Sequence, residues 1–229
     1  MQKKEYEIKP GNSYPFGCKH NGGGANFSIF SRFATDVELL LFKTAEDTEP
    51  FLAIPLQKDI NRTFYYWHVY IVGLPLGTWY NWRIDGANLT RENGFSFDKE
   101  KHLIDPWARA VSHKNWSRKA GCKPGDNSGT AMRCCIVDDR YDWEGDIPLR
   151  ISSEKSIIYE LHVGGFTRHP SAKVKHPGTF SGLIEKIPYL AQLGITHVEL
   201  LPVMAFDEQD VPKKTYDLGL TNYWGYSTH

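Results

Sequence analysis

The sequence predicts a two-part chain: an all-β sandwich over about residues 1–150, then the opening strand, helix and strand of a parallel sheet over 151–229. Three observations carry this reading. Short runs rich in Val, Ile, Tyr, Phe and Trp recur between turn signals from about residue 20 to 112, the pattern of an antiparallel sheet domain. Near residue 150 the pattern changes to strand, helix, strand, the grammar of a βαβ unit. The length, 229 residues with 41% hydrophobic and 24% charged residues, suits one large or two modest globular domains.

The strands of the first part follow from period-two alternation. Residues 26–31 alternate Phe27 and Ile29 against Asn26 and Ser28, and residues 37–42 continue after a turn at Ala34, Thr35 and Asp36. Residues 63–72 form the longest run; residues 78–85 follow a turn at 73–77, and most of these strands are expected to be hairpin partners. In the run 78–85, Tyr80, Trp82 and Ile84 share a face expected to be core, while Trp79, Asn81, Arg83 and Asp85 share one expected to be wet. Residues 114–128 read as a surface loop and 131–137 as a short strand; the first dozen residues carry no pattern.

In the second part, residues 156–163 and 196–201 read as strands flanking a helix over 180–193. Phe180, Leu183, Ile184, Ile187, Leu190 and Ala191 fall on one stripe at 3.6 residues per turn, and Gly194 supplies the C-terminal cap. Pro188 interrupts the pattern: it either kinks this helix or begins a second short one.

Lys plus Arg equals Asp plus Glu at 27 each, so no net field attracts nucleic acid or an anionic membrane, and a neutral partner is expected. The aromatic fraction is high, 14% from 7 Trp, 12 Tyr and 12 Phe. Such rings either fill a sandwich core or stack on the apolar C–H faces of sugars. No apolar run suits a signal peptide or a membrane span, and a cytoplasmic location is the expectation. Cys18, Cys122, Cys134 and Cys135 lack Cys-x-x-Cys spacing, so they are read as reduced thiols; no metal site and no cofactor is implied.

Ser156-Ile-Ile-Tyr-Glu-Leu-His-Val163 resembles the first barrel strand of the α-amylase superfamily of glycoside hydrolases. The run from Gly178 to Gly194 is similar to its first helix, and Ile195-Thr-His-Val-Glu-Leu-Leu-Pro-Val203 to its second strand. In this order, followed by Phe206-Asp-Glu-Gln-Asp210 and Asn222-Tyr-Trp-Gly-Tyr-Ser-Thr228, they resemble the isoamylase-type glycogen debranching branch. Tyr14-Pro-Phe-Gly17, the run from Gly23 to Ser31, that from Ala34 to Phe42, and Asp105-Pro-Trp-Ala-Arg109 resemble the N-terminal half of the same enzymes.

The resemblance implies a multi-domain fold: an immunoglobulin-like β-sandwich of the glycogen-binding-like kind, then the first βαβ unit of an incomplete TIM (β/α)8 barrel. It implies glycogen or a branched α-glucan as partner and hydrolysis of α-1,6 branch linkages by the retaining mechanism, which needs two carboxyl groups about 5–5.5 Å apart. Those groups and a third carboxylate are expected on later strands, beyond His229, so no catalytic residue is assigned here and the chain alone is expected to be inactive. The substrate-binding residues that the resemblance assigns are Tyr226, as the ring stacking on glucose, with Trp224 and Asn222 beside it; Gly225 allows close backbone approach.

Other polar groups receive structural readings. Glu160 and His162 are expected as buried strand residues; Asp207, Glu208 and Asp210 as solvated loop charges; residues 21–24 as a glycine turn. A second functional reading stays open, a non-catalytic glucan-binding or regulatory protein with a vestigial barrel stub. Whether the sandwich binds sugar or merely packs on the barrel also stays open, as does the oligomeric state.

Overall fold

One-sided burial of alternate residues organises the first of two units, Met1–Tyr141 and Asp142–His229, in a computed structural model that describes residues 5–87 and 96–228. In β3 (Gly24–Phe30) and β7 (Tyr66–Val72), Ala25, Phe27, Ile29, Trp67, Val69 and Ile71 are all buried. In β4 (Ala34–Phe42) and β8 (Trp79–Gly86), Val37, Leu39, Leu41, Tyr80, Trp82 and Ile84 are buried likewise. Two sheets with such inner faces exclude water by closing on each other, which makes a sandwich. The first sheet runs β1 (Ile8–Lys9), β7, β3, β2 (Gly17–His20), with β6 (Arg62–Thr63) pairing on β7. The second runs β5 (Leu52–Pro55), β4, β8, β10 (Arg133–Cys135), β9 (Val111–Ser112). Across the gap, the Phe27 ring meets Tyr80 edge-on at 5.1 Å and Trp82 at 6.4 Å.

The hairpin expectation is corrected. Consecutive strands β3 and β4 lie in opposite sheets, as do β7 and β8; the pairs that form are β3 with β7 and β4 with β8, both antiparallel. A connection that arches over the core buries two apolar faces against each other, whereas a hairpin would leave both on one side. The run 63–72 also breaks: Phe64 takes φ 55°, and Thr63 turns back to pair with Tyr66. The expected turn at 34–36 is instead part of β4, which carries a bulge between Ala34 and Asp36.

The outer face of β8 is wet only in part: Trp79, Arg83 and Asp85 are half-buried, and its centre is covered. Asn81 is fully buried and donates through Nδ2 to the carbonyls of Leu103 and Met132, both at 2.9 Å. Leu40 and Phe42 beside it are also buried, because residues 98–103 and 127–133 form a third layer. That layer encloses Arg133, whose guanidinium sits 4.2 Å over the Phe42 ring and donates to the carbonyls of Asp47 (3.0 Å) and Ser128 (2.7 Å). Burial lowers the Arg133 pKa to about 10 and, reinforced by that cation, lowers His102 to about 4.

Asp105 ties the second sheet to the segment that runs between β8 and β9. Its side chain is 2% exposed and accepts from Tyr80 Oη (3.2 Å), Trp82 Nε1 (3.5 Å) and the Trp107 amide (2.9 Å), while its own amide donates to Cys134 Sγ (3.2 Å). Burial raises its pKa against the pull of those three bonds.

Residues 8–13, which carry no hydrophobic pattern, form an ordered N-terminal strap. Beyond β1, which pairs Ile8 with Ile71, the chain lies along the outer face of the first sheet: Asn26 exchanges bonds with Asn12, Ser28 donates to the Ser13 carbonyl, and His68 Nδ1 meets the Pro10 carbonyl at 2.8 Å. Gly11, with φ 76°, lies where an added Cβ would come 2.6 Å from Val69 carbon. A group of rings follows at this end. Phe16 stacks on Tyr66 at 4.8 Å, with Tyr14, Phe30, Tyr65 and Trp107 tilted around them and partly exposed.

In the second unit, β11 (Ile158–Leu161) and β12 (His197–Leu200) pair in parallel, with Ile158 opposite His197 and Leu161 opposite Leu200. The short helices α1 (Lys58–Asn61) and α2 (Arg118–Gly121) belong to the first unit; here the crossover holds α3 (Val163–Arg168), α4 (Phe180–Glu185) and α5 (Ile187–Gln192), and Lys186 separates the last two, so Pro188 opens a second helix in the first-turn position that proline tolerates. Thr179 caps α4 through a bond from Gly182 N, and Gly194, with φ 86°, follows α5. Leu161 and Leu190 are buried, but Ile158, Tyr159, Val198, Leu200, Phe180, Ile184 and Ile187 are exposed. Glu160, expected to be buried, is exposed as well, since a two-stranded sheet has no layer to cover it.

Three outcomes follow. Asp105→Ala leaves two side-chain donors and an amide unpaired, and should cost at least about 3 kcal/mol in urea unfolding of the sandwich, at roughly 1–3 kcal/mol for each orphaned group. Because the folded pKa of His102 lies below its ordinary 6.5, the unfolded state binds more protons between them. Stability present above about pH 6.5 is therefore lost toward pH 4, and His102→Gln should flatten this loss in pH-dependent melting. Hydrogen exchange should show weaker amide protection in 151–229 than in β3, β4, β7 and β8; uniform protection would contradict the exposure of β12.

Candidate functional site

The candidate residues converge at the carboxyl ends of the parallel strands. After β12 the chain runs through Pro202 and returns along residues 206–208, where Phe206 bridges Thr228, the Asp207 amide donates to the Ser227 carbonyl (3.0 Å), and the Asn222 amide donates to that of Glu208 (2.9 Å). Between these anchors lies the turn Tyr223, Trp224, Gly225, Tyr226. Asn222 Nδ2 braces it by donating to the carbonyls of Tyr226 and, at 3.3 Å, Asp207. Gly225 is buried with φ 85°, and an added Cβ would come 2.7 Å from the Pro202 carbonyl oxygen. That glycine lets the turn sit on the end of β12.

The three sequence-assigned residues thus share one loop. Tyr226 (58% exposed) and Trp224 (56%) present their rings to solvent, whereas Asn222 is half-buried and directs its amide nitrogen into the loop backbone. Asp207, expected to be solvated, is 3% exposed, and its Oδ1 accepts from the Gln209 amide (2.9 Å), so it closes the loop base. Glu208 and Asp210 beside it are not buried. Among the described residues, no group of three His, Cys, Asp or Glu side chains is placed to hold a metal ion. No helix among them is long and apolar enough to cross a membrane.

His162 and Arg168 escape sequence reasoning as parts of this corner, and Tyr223 is visible there only as a member of the loop motif. His162, expected to be a buried strand residue, follows β11 as the N-cap of α3 and is half-buried. Its ring stacks on Tyr223 at 4.4 Å and 25°, and Trp224 meets it edge-on at 5.8 Å. Arg168, at the end of α3, lies 5.7 Å from the Tyr223 ring centroid. Gly164 and Gly165 make the approach possible. A Cβ on Gly164 would stand 3.1 Å from His162 Cε1, and one on Gly165 would stand 3.3 Å from the Tyr223 hydroxyl. The signal available was positional: a polar ring just past the end of a parallel strand, with glycines two and three residues further on, lies where barrel folds gather ligand groups.

Residues 15–108 match carbohydrate-binding module 48, the isoamylase N-terminal domain. The chain is 34% identical over 234 residues to the chloroplastic isoamylase 1 of Arabidopsis thaliana, covering 100% of this chain and 30% of that protein. It is 38% identical over 235 residues to a glycogen debranching enzyme of Yersinia enterocolitica, covering 96% of this chain and 33% of that protein. The chain therefore spans about a third of the length of these relatives. In fold it is similar to the apo pullulanase of Paenibacillus barengoltzii, with a TM-score of 0.69 and 22% identity over 96% of this chain and 31% of that one. A pullulanase of Bacillus acidopullulyticus gives 0.68 and 23% over 94% and 24%. Residues 15–108 are accordingly similar to a carbohydrate-binding module of the isoamylase N-terminal type, and the relatives matched over nearly the whole chain are isoamylases and glycogen debranching enzymes.

Gly225→Ala should detach the turn from β12, since it combines a left-handed φ with a backbone collision. A loss of about 1–3 kcal/mol in local opening, read from exchange of the Asp207 and Asn222 amides, is expected. Unchanged exchange would show that the turn is held without this close approach.

Proposed function

We propose that this chain is the N-terminal part of a glycoside hydrolase that cleaves α-1,6 branch linkages of glycogen or its limit dextrins, with the sandwich and barrel domains dividing near residue 150. In this reading, β11, the helical crossover and β12 are the first βαβ unit of a (β/α)8 barrel. The loop 222–228 supplies one wall of the pocket in which a glucose unit is held. The observation that carries it is the parallel register of β11 and β12, with an exposed aromatic turn at their carboxyl ends. Barrel active sites are built at that end of the strands. The likeness to isoamylases and debranching enzymes over nearly the whole chain supports the same assignment.

Each residue has a distinct part. Tyr226 offers an exposed ring face on which the C–H face of a glucose unit stacks, and Trp224 flanks it as a second apolar wall. Asn222 keeps the two rings in one turn. In this reading the two carboxyl groups of the retaining mechanism belong to later strands of the barrel, and the part of loop 222–228 is to hold glucose rather than to cleave. The purified chain should therefore release no linear maltooligosaccharide from glycogen, and calorimetric titration should show maltohexaose binding that Tyr226→Ala weakens at least about tenfold, the loss typical of a central aromatic anchor. Equal affinity in the variant would remove Tyr226 from the site.

A second reading, glucan docking on the sandwich, is favoured by the carbohydrate-binding module match. Affinity electrophoresis separates the two. Retardation in glycogen gels that persists in Tyr226→Ala assigns binding to the sandwich, and retardation lost in that variant assigns it to the loop.

A further inference from the structure

The hydrogen bonds around His162 determine which ring nitrogen carries the proton. The Gly165 amide donates to Nδ1 at 2.9 Å, so Nδ1 is an acceptor, and Nε2–H is left to donate to the Tyr223 carbonyl at 3.0 Å. One side chain thus performs two tasks. On one side it caps α3, whose first turn would otherwise leave the Gly165 N–H without a side-chain acceptor. On the other it reaches 61 residues along the chain to the loop that bears Trp224 and Tyr226. Its ring adds a third restraint, lying almost parallel to Tyr223 at 4.4 Å while Trp224 packs edge-on against it.

We infer that His162 is the positioning residue of the aromatic turn: through Nε2–H and its ring face it sets where Trp224 and Tyr226 stand relative to the end of β11. This rests on the reading of loop 222–228 as a glucose-binding wall, but the geometric claim can be measured without sugar. The other anchors of the loop, from Asn222, Asp207 and Gly225, tie it to its own base and to β12. The bond from His162 ties it to the neighbouring strand. A ring wall that takes part in recognition must hold a fixed distance from groups on adjacent strands, because small displacements forfeit stacking.

The side-chain amides of Asn and Gln separate the two tasks, since Asn places its polar atoms near the Nδ1 position and Gln near the Nε2 position. His162→Asn should keep the cap on α3 and lose the bond to Tyr223. His162→Gln should keep that bond and lose the cap. Hydrogen exchange on the full chain should then show Asp207 and Asn222 exchanging roughly two- to tenfold faster in His162→Asn, the range that one lost hydrogen bond represents, and near the parent rate in His162→Gln. Amides of α3 should show the reverse. In maltohexaose titration, affinity should fall in His162→Asn and recover in His162→Gln, with melting temperatures of the two variants alike. Exchange at Asp207 and Asn222 unchanged in both variants overturns the positioning role, whatever the sugar result. Accelerated exchange with affinity unchanged in His162→Asn and in Tyr226→Ala upholds the geometric role and rejects the glucose-wall reading instead.

Discussion

A single buried carboxylate fastens the two core rings of β8 and the adjoining strand β10 to the segment between β8 and β9. Asp105 lies outside both sheets in sequence, yet it accepts bonds from Tyr80 and Trp82 of β8 and, through its backbone, addresses Cys134 of β10. Tyr80 and Trp82 are the rings that Phe27 meets from the opposite sheet. The polar tips of two core aromatics are therefore satisfied at the same atom while their faces build the apolar interior. Aromatic residues can fill a core only when such tips find partners, and burying a carboxylate is tolerable only when it accepts several bonds. Each condition is met by the other.

The same economy runs through the outer layer of the second sheet. Arg133 is buried against the Phe42 ring and directs its guanidinium to carbonyls of two loops, and His102 beside it stays uncharged because burial and the cation both oppose protonation. This layer links residues 47, 102, 128 and 133, segments that share no strand pairing. It turns the centre of what would be a solvent face of β8, at Asn81, into a second, polar interior.

Much of this was legible in the chain. The alternation of Tyr80, Trp82 and Ile84 against their neighbours named the core face correctly, and the stripe from Phe180 to Ala191 located the helical crossover. What period-two alternation leaves undetermined is the partner of each strand, because Phe27 and Val37 are inward-facing whether their strands lie side by side or face to face. Asn81 was misjudged because its burial depends on residues 103 and 132, far along the chain. The N-terminal strap was missed since its bonds run from backbone groups and small side chains that carry no hydrophobic period. Tyr226 and Trp224 enter the candidate site through the resemblance of the Trp-Gly-Tyr motif, and the structure gives them exposed rings in one turn. His162 was not legible there, because its role is a bond to a backbone carbonyl 61 residues away.

The strap also bears on where the module truly begins and ends. The matched stretch is 15–108, whereas the folded body uses β1 before it and β9 and β10 after it. A fragment cut at the matched borders would forfeit Cys134 and Ile136 from the interior, uncover Asn81, and leave β8 as a bare edge carrying unpaired amides. Boundaries inferred from sequence likeness mark what relatives share. Structural boundaries mark what the interior needs, and here the second set is wider at both ends.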